Sequence, residues 1–151
     1  MIEFETPADM AAHAGRELGV GDWLLVDQER INRFADATGD HQWIHVDVER
    51  AARDLPGGKT IAHGYLTLSL LPVLSHSVFK IRQRKRGVNY GSDKVRFMSP
   101  VPSGSRIRLR QKLLAAVAIE GGQRFTFEST IEIEGQEKPA LVTQNISVAY
   151  G

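Results

Sequence analysis

From Gly87 onward the hydrophobic period of the chain changes from helical to two, as in Arg106-Ile107-Arg108-Leu109-Arg110, Arg124-Phe125-Thr126-Phe127-Glu128 and Thr130-Ile131-Glu132-Ile133-Glu134. Successive side chains of a strand point to opposite faces, so this alternation marks half-buried antiparallel strands with one apolar face. Gly121-Gly122 separates two of the runs and Glu134-Gly135-Gln136-Glu137 another two, which gives a meander of about four strands. Such a sheet has to bury its apolar face against something.

A cover for it lies upstream. Residues 60–79 contain Ile61, Leu66, Leu68, Leu70, Leu71, Val73, Leu74 and Val78, a pattern apolar nearly all round, as in a helix enclosed by protein. Thr67, Ser69, Pro72, Ser75 and His76 interrupt it well short of the ~20 apolar residues a membrane helix needs. Pro72 has no N–H and should bend the helix or disturb its bonding there. Trp23 to Val26 reads as an earlier strand. The order of strand, helices and strand run predicts an α+β fold, with the helix lying on one face of an antiparallel sheet.

The first twenty residues predict an appended amphipathic helix, with Thr6 as N-cap, Pro7 at the first helical position and Gly19 as terminator. His13 reads there as a surface residue. A length of 151 residues with 42% hydrophobic content suits one domain, 1–151, with no repeat or linker. There is no cysteine, so disulfides and thiolate chemistry are excluded. Met1-Ile2-Glu3-Phe4-Glu5 has acids where a secretory leader has bases, and a cytoplasmic protein is expected. A net charge of +1 argues against general binding to nucleic acid.

Residues 39–47, Gly-Asp-His-Gln-Trp-Ile-His-Val-Asp, concentrate titratable and aromatic side chains in a segment without helical or strand periodicity. Before them, Ile31, Phe34 and Ala35 have helical spacing over residues 28–38, and Gly39 fits a left-handed C-terminal cap. After them, Asp47 precedes Val48-Glu49-Arg50-Ala51-Ala52-Arg53 as the N-cap of a second short helix. Asp40 and His45 are five positions apart, so regular structure would separate them and only a bend brings them together. Together they could polarise a water, the carboxylate accepting a hydrogen and the imidazole tuning basicity near neutral pH. The alternative is a capping Asp40 and a hydrogen-bonded core His45.

Phe34-Ala35-x-Ala37-Thr38-Gly39-Asp40-x-x-x-x-His45-x-Asp47 resembles the signature of the MaoC-like, R-specific enoyl-CoA hydratases, within them most the single-domain branch related to nodulation protein N. Ile61-Ala62-His63-Gly64, Asn89-Tyr90-Gly91 with Lys94-Val95-Arg96-Phe97, and Pro100-Val101-Pro102-x-Gly104 agree in order and spacing. The resemblance covers the chain from about Asp22 to its end. It implies a hot dog fold, association as a homodimer, and Asp40 and His45 as the catalytic pair. The commoner motif has Asn and Pro where this chain has Gln42 and Trp43, which bears on the pocket mouth and makes these two candidates for substrate contact.

Gly64 is a candidate oxyanion donor, because an amide in the first turn of a helix has no intrahelical acceptor. The register decides it: with Thr60 as N-cap the Gly64 amide is already bonded, whereas a start at Ala62 or His63 frees it. The resemblance implies the later start. His63 is assigned a supporting or substrate-contact role. Lys80-Ile81-Arg82-Gln83-Arg84-Lys85-Arg86 holds five cations in seven residues, and Arg84 and Lys85 are candidates for the phosphates of a coenzyme A handle, with a solvated loop as the alternative.

The resemblance implies reversible syn hydration of trans-2-enoyl thioesters of CoA or acyl-carrier protein to R-3-hydroxyacyl thioesters, with no metal or redox cofactor. A hot dog thioesterase and a non-catalytic acyl-thioester-binding module are the competing readings. A metal site from His41, His45 and His63 matches no common zinc spacing.

Overall fold

The computed structural model describes residues 1–151. Its N-terminal half comprises β1 (Ile2–Phe4), α1 (Pro7–Ala11), β2 (Glu17–Val20), β3 (Leu24–Val26), α2 (Gln28–Thr38), α3 (Trp43–Val46), α4 (Val48–Asp54), α5 (Gly64–Ser69) and α6 (Leu71–Ser75). Then follow β4 (Phe79–Ile81), β5 (Arg86–Phe97), β6 (Ser105–Ile119), β7 (Gly122–Ile133) and β8 (Leu141–Tyr150). The meander is present, and it forms a six-stranded antiparallel sheet in the order β2-β6-β7-β8-β5, with β3 also paired to β6.

The alternation read from the sequence becomes burial on β6 and β7. Ile107, Leu109 and Leu113 of β6 and Phe125, Phe127, Ile131 and Ile133 of β7 share one face and meet Leu66, Leu70, Leu71 and Leu74 of the helical layer in a single core. Each such side chain contributes about 1.5–3 kcal/mol when fully withdrawn from water. This is the helix-on-sheet α+β arrangement of a hot dog fold.

Three expectations need correction. The helical layer is shorter than 60–79 and broken: residues 60–63 are extended, Ile61 bridges Pro102, and the helix runs only from Gly64 to Ser75, parted between Ser69 and Leu71. The Ala62 N–H donates to the Val101 carbonyl at 2.8 Å, so this stretch bonds sideways instead of along a helix. Pro72, which cannot donate to Leu68, accounts for the break. Nor is the helix enclosed, since Tyr65 and Val73 are exposed.

The N-terminal segment holds only the five-residue α1, with the Thr6 cap and Pro7 where expected and Asp9 completing a capping box. Gly19 ends no helix: it lies in β2 at φ +133°, beside a bulge against β6. The flanking β1 runs parallel to β4, a pairing that a three-residue strand does not announce.

The third correction concerns β5, expected to be half-buried but exposed along all of its length. Register shifts between Asn89 and Gly91 and between Ser92 and Lys94 break its alternation. The residues opposite the inward positions of β8 are therefore Gly87, Asn89, Ser92, Val95 and Phe97, a spacing that no period-2 pattern reveals. Between the inner side of β5 and the α5–α6 layer a groove stays open.

Candidate active site

Two helix ends build the corner where the predicted residues meet. Asp27 caps α2 by accepting the Arg30 N–H at 2.9 Å, and Gly39 closes the helix at φ 80°, where only glycine is free of strain. Asp47 caps α4 by accepting the Arg50 N–H at 3.0 Å. The linking loop is less irregular than expected, because residues 43–46 form the single turn α3, held by the Asp47 N–H on the Trp43 carbonyl at 3.0 Å. That turn swings His45 back toward Asp40.

His45 is buried, and its Nδ1 lies 2.6 Å from the Ile61 carbonyl. A carbonyl only accepts, so Nδ1 carries the hydrogen and Nε2 of the neutral ring is a bare base. Gln28, the first residue of α2, donates to the His45 carbonyl at 2.7 Å and accepts from the Thr60 hydroxyl, tying the turn to the extended 60–63 segment. The Ile61 N–H donates to the Ile44 carbonyl at 3.0 Å from the other side.

His63 stacks on His45, with ring centroids 3.8 Å apart and planes 23° apart. Its Nε2 lies 2.9 Å from the Asp40 carbonyl and donates to it, which leaves the buried Nδ1 without a partner. The Phe34 ring also packs against His63, with centroids 5.0 Å apart. The Asp40 carboxylate accepts the Gln42 N–H at 3.3 Å. One donor atom from each of Asp40, His45 and His63 lies within 4.8 Å of the others, so the bend does bring the acid and the imidazole together.

This trio does not suit a cation. Nearly parallel stacked rings direct their lone pairs along separate planes, and an ion about 2.0–2.1 Å from each nitrogen needs them to converge. His41 stands apart on the surface, its Nε2 2.9 Å from an Asp36 carboxylate oxygen. That contact, with help from Asp40, raises the His41 pKa above its ordinary value.

Beside His45 opens a cavity of about 270 Å³, lined by Ile61, Ala62, Gly64, Thr67, Phe97 and the 98–100 loop. Helix α5 begins at Gly64 with His63 as N-cap, so the later register holds and the Gly64 N–H has no intrahelical acceptor. A Cβ at Gly64 would stand 3.0 Å from the Phe97 ring, so glycine keeps the wall thin here.

Gln42 and Trp43 do not line this cavity. Gln42 uses its backbone N–H on Asp40, and the Trp43 ring is covered by the Arg50 guanidinium at 3.9 Å. Arg84 and Lys85 are not brought to the corner either. They precede β5 at the end opposite Phe97, where Arg84 packs over Gly87. Sequence reading missed Gln28, Thr67 and Phe97; the first two look like ordinary helix residues, and only the sheet register brings Phe97 to Gly64.

Residues 9–134 match the family model described as MaoC like domain. A protein named 3-hydroxyacyl-thioester dehydratase Z from Mycobacterium tuberculosis is 50% identical over 147 residues, covering 97% of each chain. Nodulation protein N of Rhizobium leguminosarum bv. viciae is 50% identical over 144 residues, covering 93% of this chain and 89% of its own. Among solved structures, an unliganded R-hydratase from Pseudomonas aeruginosa superposes with a TM-score of 0.77 at 18% identity, covering 96% of this chain and 85% of its own.

Proposed function

This chain belongs to the MaoC-like dehydratase family, and from that premise we propose that it is an R-specific hydratase, adding water reversibly across the C2–C3 double bond of trans-2-enoyl thioesters. The observation that carries the reading is that a carboxylate oxygen of Asp40 and a ring nitrogen of His45 lie within 4.8 Å of each other, with the His45 Nδ1 held by the Ile61 carbonyl, while His45 and Gly64 line the same cavity. An acid and a base on one water, facing a backbone donor, is the equipment this addition requires.

In the hydration direction Asp40 and His45 hold one water and withdraw a proton from it while its oxygen bonds to C3. The π electrons of the enoyl group move toward the thioester carbonyl, whose oxygen gains negative charge and accepts from Gly64. The pair then delivers a proton to C2, the enolate collapses, and the net change is one water added. Because water and proton come from one side, the addition is syn; the R configuration at C3 follows if the pair meets the same face of the enoyl group as in the R-hydratase that this chain resembles. Dehydration runs through the same groups in reverse.

His63 positions this pair: it ties down the Asp40 backbone and backs the His45 ring. CoA and acyl-carrier protein are both accommodated as handles in the proposal, while Arg84 and Lys85 lie outside its chemistry. No helix is long and apolar enough to cross a membrane, and a cytoplasmic setting is part of the proposal. So is a homodimer, supported by the outermost strand β5, whose free edge has no neighbour and whose Val88 and Tyr90 are exposed. A monomer in sedimentation at micromolar concentration would remove the dimer.

The enzyme is tested with crotonyl-CoA. Loss of the enoyl absorbance without free thiol is the expected result. Thiol release would replace the hydratase by a thioesterase, and binding without turnover would make the chain a binding module.

A further inference from the structure

Past the corner the groove widens into a second cavity of about 600 Å³, between α5–α6 and the inner faces of β5, β7 and β8. Leu68 and Ser69, which line it, follow directly on Thr67 of the smaller cavity, and Ser92 lies five residues up β5 from Phe97. The two cavities therefore follow one another along α5 and β5, offset by roughly 16 Å along the strand. Leu68, Leu71, Phe79 and Phe127 give the second stretch apolar surface, while His76, Arg84 and Asn89 stand among its polar lining.

Its floor is different. Gln111 on β6 and Ser129 on β7 are cross-strand partners on the inner face, at positions that continue the series of Leu109 and Ile131. The Gln111 Nε2 donates to the Ser129 Oγ at 3.1 Å, and the Ser129 hydroxyl donates to the Asn145 Oδ1 at 2.7 Å. Gln111 is only 2% exposed, lines the cavity, and has no partner for its Oε1. Asn145 lines the same cavity and keeps its amide hydrogens for a partner there.

An unsatisfied amide oxygen in the core of a sheet is unfavourable, and a hydrophobic residue would serve packing better. Turning both amides round reverses the relay and leaves an unpartnered donor at Gln111 instead. A hydroxyl group, which donates and accepts, satisfies either arrangement. A plain alkyl chain satisfies neither.

Resting on the hydratase reading above, we propose that this lobe receives the tail of the acyl group and that Gln111, with Asn145, selects acyl groups bearing a hydroxyl beyond C3. Gln111 acts here as a specificity-determining residue, remote from the reacting atoms.

The test is a panel of trans-2-enoyl-CoAs from four to twelve carbons, each plain and with a terminal hydroxyl, with kcat/KM for hydration measured on the full chain. At the length that reaches Gln111 the hydroxylated substrate is expected to exceed its plain counterpart by about tenfold or more, since a site built to bond a hydroxyl rejects the analogue lacking it. Gln111→Met is expected to reverse that ratio. A preference for the plain chain at every length, or a ratio that Gln111→Met does not move, overturns the proposal and makes the polar floor a water site. The wild-type comparison stands even if the variant fails to fold. Absence of hydration for every thioester, crotonyl-CoA included, overturns the hydratase reading itself and this proposal with it.

Discussion

Strands β5 and β7 have the same length, 12 residues, and lie in the same antiparallel sheet, yet they end in opposite environments. In β7, Phe125, Phe127, Ser129, Ile131 and Ile133 are buried, whereas β5 has no buried residue. The strand β7 has neighbours on both sides and the helical layer over its inner face, while β5 has only β8 beside it and a groove in front. Pairing alone does not bury a strand; a cover does, and nothing in this chain covers β5. In the reading proposed above its inner face is left to a ligand and its edge to a second copy.

The largest effect that bears on this division belongs at the Phe97 end of the groove. Asp40→Asn and His45→Gln are each expected to lower kcat by roughly 10²–10⁴, the range for loss of a general acid or base, with little change in KM on crotonyl-CoA. Near wild-type turnover in both would mean that the groove end is not where chemistry happens. Because Asp40 is exposed, urea unfolding of its variant should match wild type.

Next comes stability along the two strands. Phe125→Ala in β7 should cost about 3–5 kcal/mol, and Val95→Ala in β5 less than about 0.5 kcal/mol in the single chain. Comparable shifts in urea midpoints at equal slope would break the contrast.

A smaller effect is expected at Gly64→Ala. The backbone there is not strained and the half-exposed Phe97 ring is free to yield, so folding should change by under about 1 kcal/mol. The displaced ring intrudes on the cavity, and kcat should fall by on the order of tenfold to a hundredfold. Unchanged kcat would detach Gly64 from the reaction.

The smallest lies on the rim, at the exposed Asp36–His41 pair. The hydrogen bond raises the His41 pKa, so its contribution to stability is complete at pH below the ordinary histidine range and is lost as pH rises through the raised value. An NMR titration should place the His41 midpoint above 6.5, and Asp36→Asn should bring it back down. An unchanged midpoint in that variant would discard the pairing.

Much of this corner was legible because its signals are local. Asp27, Gly39 and Asp47 act on backbone groups within four residues, so their caps follow from residue type and position. The break near Pro72 follows from one missing N–H. Gln28, Phe97 and Gln111 carried no such signal, because each owes its role to a partner from 17 to 33 residues away.

By itself the sequence determined the α+β class, the strand meander, the helix ends around residues 39–47 and the pairing of Asp40 with His45 as candidates, all consequences of side-chain period and short-range hydrogen bonding. Tertiary structure alone decided that residues 60–63 are extended, that Gly64 opens α5 with a free amide, that His63 stacks on His45, and that β5 stands uncovered over a groove with a polar floor. Those outcomes depend on which distant segments compete for the same backbone donors and the same apolar face, and a linear pattern does not contain that competition.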